Sequence, residues 1–93
     1  MLDDVKLSLR ISNTAYDNEI NNLIEAAIID LTLAGIDPSK INDSDKLIVT
    51  AITFYCKSNF GFGNPDAERF QKTYDLLKMS LSLSGMYSIG SGC

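Results

Sequence analysis

The chain has 93 residues, 45% of them hydrophobic and 22% charged, with a net charge of −4. That length predicts one domain with one modest core, and the composition is too apolar for disorder. The acidic balance argues against a free-standing duplex DNA binder, which needs a basic face to displace counterions. The sequence contains no apolar run long enough for a membrane helix. The opening "MLDDVKLSLR" is acidic where a secretory signal would be basic, so secretion is not expected. Cys56 and Cys93 have no metal-ligand spacing and read as reduced cytosolic thiols. There is no histidine, which removes the commonest general base and the commonest metal ligand.

Leu2 to Ile11 carries two patterns. Leu2, Val5 and Leu9 fall at helical spacing, whereas Val5, Leu7, Leu9 and Ile11 alternate as in a strand. Asp3 and Asp4 favour a helix, because carboxylates suit the positive end of its dipole. The expectation is a short helix.

The second segment is the clearest. Thr14 is placed to cap a helix, with Asp17 three residues on to reach back. Tyr16, Ile20, Leu23, Ile24, Ala27, Ile28 and Leu31 then fill one stripe. Gly35 stops the helix, because glycine takes the left-handed conformation cheaply. In "IDPSKIND", Pro38 is set to start a single helical turn.

A third helix is predicted from about Ser44 to Phe60. Leu47, Ala51, Phe54 and Tyr55 share one face, and Val49, Ile52, Cys56 and Phe60 make much of the remainder apolar. Only Thr50, Thr53 and Lys57 mark a polar edge, as in a central helix covered by several neighbours. "NFGFGNP" then reads as a short corner, with Gly61 and Gly63 breaking the helix and the flanking helices antiparallel. A fourth helix starts with Asn64 as cap and Pro65 at its first position, with Asp66 and Glu68 in the first turn. Phe70, Tyr74, Leu77 and Leu81 form its stripe, and it ends near Ser84-Gly85. Residues from about 86 to 93 read as a flexible tail. The fold class is therefore all-α: a small bundle of three main helices plus a short N-terminal one.

Candidate chemistry is sparse. "FGFG" lacks the G-x-x-x-x-G-K-[ST] pattern of a phosphate loop and follows a helix, not a strand. Cys56 has no base to activate it and reads as an inert core thiol, whereas Cys93 reads as exposed. Asp43 and Asp45 resemble a fragment of a calcium loop, but no glycine or distal glutamate follows in register, so they read as helix-start carboxylates. No catalytic set, metal site or cofactor site is assigned.

One feature exceeds the needs of a monomer. Ala26, Ile29 and Leu33 lie opposite the main stripe of the second helix, and Leu76, Met79 and Leu83 lie well away from that of the fourth. Either the short first helix or the tail covers them, or they meet another subunit. Ile29, Leu33, Leu76, Met79 and Leu83 are the candidate interface.

The order of signals resembles the tailed-phage head–tail connector family, also described as head-completion or DNA-packaging adaptor proteins. The likeness spans residues 2 to 87 and rests on several motifs: "DNEINNLIEAA" as D-x-E-I-x-x-L-I-x-A-A, the "AGI" helix end, A-I-x-x-Y-x-K-x-x-F-G, and F-x-x-x-Y-x-x-L-K-x-x-L. The resemblance implies an all-α structural subunit without catalytic residues. It implies a homo-oligomeric ring, dodecameric in the virion, that docks on the portal protein, completes the DNA-filled head and offers a platform for the neck or tail stopper protein. DNA would pass through without sequence-specific binding, and no membrane is involved. The implied location is the virion neck, and the host cytoplasm during assembly. The reading from another class is a small helical regulatory or antitoxin-like module that binds one protein partner.

Overall fold

A computed structural model describes residues 1–60 and 65–87. Four α-helices follow in order: α1 (Leu2–Leu9), α2 (Asp17–Leu33), α3 (Lys46–Asn59) and α4 (Ala67–Leu83). A single 3-10 turn, Pro38–Lys40, lies between α2 and α3. The architecture is the expected all-α bundle.

The ambiguity at the start resolves as a helix. Val5 is fully buried and Leu7 points to solvent, a split that strand alternation would not allow. α1 ends with Arg10 in the left-handed conformation (φ 60°), its backbone N–H bonded to Leu7, while that of Ile11 bonds back to Lys6. A non-glycine residue there costs about 1 kcal/mol or more.

The predicted stripe of α2 is the one it buries, except Tyr16, which precedes the helix and is half exposed. Ile20, Ile24, Ala27 and Leu31 enter the core, and Leu23 and Ile28 pack beside them. The start of α2 differs from expectation. The helix begins at Asp17, and Thr14 gives no side-chain cap. Instead, the Asn13 Oδ1 accepts from the Ala15 N–H at 3.0 Å, and the Thr14 carbonyl accepts from the Asp17 N–H at 3.2 Å. The Asp17 carboxylate does not reach back as a capping partner; its Oδ1 lies 2.8 Å from Lys6 Nζ, which ties α1 to α2. Gly35 ends the helix as predicted, at φ 100°. The N–H groups of Gly35 and Ile36 return to the carbonyls of Thr32 and Leu31, and Ile36 closes the motif by burying its side chain.

Asp45, not Asp43, starts α3. Its Oδ1 accepts from the N–H groups of Leu47 (3.0 Å) and Ile48 (3.3 Å). The buried face is Ile48, Ala51, Ile52 and Cys56. Leu47, expected on the inner face, is half exposed, so the inner face is turned by about one residue from the predicted one. Phe60 follows the helix in extended conformation. The corner glycines and Asn64 lie outside the described residues. Pro65 and Asp66 precede α4, which starts at Ala67 with Asp66 as its cap residue.

α3 packs against α1, α2 and α4. Tyr55 meets Tyr74 with ring centroids 5.1 Å apart, and Ser58 Oγ lies 3.2 Å from Gln71 Oε1. Partners on α4 thus recede as α3 advances, so the two helices are antiparallel. α2 also opposes α3. The rings of Tyr16 and Phe60 meet edge-on at 5.5 Å at one end, while Tyr87 joins Asp37 and Asp45 at the other. Hence α2 and α4 finish at the same end of the bundle.

Candidate interaction surface

α2 and α4 meet beside α3 through a small polar cluster. The hydroxyl of Tyr74, itself fully buried, donates to Asp30 Oδ2, and Lys78 Nζ donates to the same oxygen at 3.0 Å. Burial alone would raise the Asp30 pKa; the Tyr74 and Lys78 hydrogen bonds and the Lys78 charge outweigh it and hold the carboxyl below its ordinary value. Burial, and then the bond to Asp30, push the Tyr74 phenol up. The cluster fixes the rotation of both helices, and so fixes which side chains each turns outward.

Those outward side chains are the candidates from the sequence. Ile29 and Leu33 are 60% and 81% exposed, and Leu76, Met79 and Leu83 are 65%, 57% and 79% exposed. Ala26 is half-buried beside the first group. α1 packs on α2 and α3 yet leaves these five open. Within each group the members are three, four or seven residues apart, so they share a helix face. Both groups belong to the C-terminal halves of their helices and therefore to the same half of the bundle. Each group lies on its own helix, turned away from the core.

Four more large apolar side chains are exposed among the described residues, and none was a candidate from the sequence: Leu7, Tyr16, Leu47 and Met86. Leu7 and Leu47 were masked by the apolar patterns around them. Met86 shares the end of the bundle with Leu33 and Leu83.

The remaining surface holds little else. Asp4, Asp43, Ser44, Lys46, Val49 and Thr50 line an open depression between the starts of α1 and α3. Among the described residues, no group of three His, Cys, Asp or Glu side chains is placed to hold a metal ion. Cys56 is fully buried, and burial pushes its thiol up to about 12, far from a reactive thiolate at neutral pH. Cys93 lies outside the described residues. No helix among the described residues is long and apolar enough to cross a membrane.

Searches for similar curated proteins and for similar solved structures return no match. A family model does match: that of the phage connector protein, over residues 1–88, which takes in all four helices and both outward apolar groups. The chain belongs to the phage connector protein family.

Proposed function

We propose that the protein is a head–tail connector subunit that packs side by side with copies of itself in a ring, using Ile29 and Leu33 on α2 and Leu76, Met79 and Leu83 on α4. The ring docks on the portal protein of a filled head, completes it, and receives the neck or tail stopper protein. Its place is the virion neck, and its role is structural, not enzymatic. The carrying observation is the exposure of these five apolar side chains on a subunit whose own core is already filled. Small soluble monomers rarely leave such faces bare, and family membership supplies the assembly they would serve. The net charge of −4 per subunit, repeated around a ring, suits a channel through which DNA passes without being held.

The test is the double variant Ile29→Asp/Leu33→Asp. Because both side chains are exposed, the variant should melt like the parent by circular dichroism. It should fail to complement a phage lacking the gene, leaving filled heads unjoined to tails in electron micrographs. A variant that melts normally and still gives infectious particles would defeat the interface reading.

A further inference from the structure

The chain leaves α4 through a segment with few ties to the bundle. Ser84 turns out of the helix into extended conformation (φ −79°, ψ 128°). Gly85 follows in open space, with nothing within 4 Å of where a Cβ would stand. The turn is held locally: the Tyr87 N–H donates to the Ser84 carbonyl at 3.1 Å, and the Met86 N–H to Ser84 Oγ at 3.2 Å. Tyr87 then fastens it to the body. Its carbonyl accepts from the Asp37 N–H at 2.7 Å, and its hydroxyl donates to Asp45 Oδ2 at 2.8 Å. Its ring rests on the edge of the core.

The two oxygens of Asp45 divide the work. Oδ1 caps α3, and Oδ2 holds Tyr87. Losing Tyr87 therefore leaves the cap in place. Asp37 is similarly divided, since its carboxylate holds the N–H and hydroxyl of Ser39 while its own N–H serves Tyr87. Each anchor of the segment is an atom the rest of the fold does not need.

We propose that residues 84–87 form a hinged strap, latched by Tyr87 across the joint between α2 and α3, which opens without unfolding the bundle. Opening swings Met86 and Tyr87 away from the bundle about Ser84-Gly85. It also uncovers one backbone donor and one carboxylate oxygen at the end of the bundle where Leu33, Leu83 and Met86 are exposed. The strap is independent of the assembly reading and can be tested on the isolated full chain.

The experiment is residue-resolved amide hydrogen exchange by NMR on the parent and on Tyr87→Phe. In the parent, the Asp37 amide should exchange faster than the core amides of Leu31 and Ile52, because it opens with the strap. Tyr87→Phe removes one latch bond and should speed Asp37 roughly five- to tenfold, the factor one such bond carries. Leu31 and Ile52 should keep their rates. Asp37 exchanging no faster than Leu31 and Ile52 in the parent would overturn the proposal. So would equal acceleration of all three in the variant, or none at Asp37.

Discussion

Tyr74 on α4 donates its buried hydroxyl to Asp30 on α2, 44 residues earlier in the chain. The two partners are not equivalent. Tyr74→Phe removes the donor and leaves a half-exposed carboxylate that water and Lys78 still serve; the cost should be about 1–2 kcal/mol. Asp30→Ala strands a fully buried hydroxyl and should cost more, about 2–3 kcal/mol. Lys78→Met removes a partly exposed ion pair and should cost less than about 1 kcal/mol. Urea unfolding midpoints should drop least for Lys78→Met, more for Tyr74→Phe and most for Asp30→Ala, and a Lys78 variant weaker than the Asp30 variant would contradict this.

Arg10 and Gly35, the two positive-φ residues among the described ones, should respond in opposite directions. Gly35 has φ 100° with open space where a Cβ would stand, so Gly35→Ala meets no clash and carries only conformational strain. It should destabilise by about 1 kcal/mol. Arg10 is a non-glycine residue at φ 60°. Arg10→Gly should relieve strain and stabilise by about 0.5 kcal/mol after allowing for the freer unfolded chain. Thermal melts of both variants check the pair.

Cys56 should be silent in the folded state. A disulfide-exchange reagent should react with it only at the rate of unfolding, and Cys56→Ala should cost about 1 kcal/mol as a small cavity. The check is thiol titration of Cys93→Ser, which leaves Cys56 as its single thiol. Rapid reaction without denaturant would show that α3 is not the central helix described above.

Acid should weaken the subunit through identifiable carboxylates. Asp45 is held below its ordinary value of 3.8 first by the Tyr87 hydroxyl and then by its cap bonds, and Asp37 first by the Ser39 N–H. Asp30 is lowered as well. Each has a folded pKa beneath its unfolded one, so its contribution is present above that unfolded value and is lost as pH falls through the folded one. The melting temperature should therefore hold from neutral pH to about 5 and drop below about 4. Asp45→Asn should make that drop shallower; parallel losses in variant and parent would remove Asp45 from the account. At the other extreme, the raised Tyr74 pKa contributes stability below about pH 10 that is lost as pH rises further.

Legibility in the sequence followed the number of neighbours each helix has. α2 buries one face, so its apolar residues mark that face directly, and the Gly35 stop was equally plain. α3 is apolar on most sides, and periodicity then has no preferred phase. That is why the pattern groups Leu47 with Ala51 and does not single out Ile48. At the start of α2, Thr14 had the form of a cap, but Asp17 is held by Lys6 from α1, a partner outside its own helix. The outward groups on α2 and α4 could be named because they interrupt polar faces. Whether α1 covered them was a tertiary question. The Asp30–Tyr74–Lys78 cluster and the Tyr87 latch were invisible for the same reason, since each joins residues more than forty positions apart.

The central position of α3 also governs how the chain reaches its native state. Ile20, Ile24 and Leu31 of α2 have their core against Ile48, Ile52 and Cys56, so α1 and α2 together lack the surface that would hold them folded. A nascent chain that has not yet released α3 should remain a fluctuating helical hairpin at most. Once α3 is free, the α3–α4 pairing is local, while the link from Asp30 to Tyr74 must close a loop of 44 residues and should form late. Variants at Tyr74 should accordingly speed unfolding and leave the folding rate nearly unchanged, whereas variants at Ile52 should slow folding.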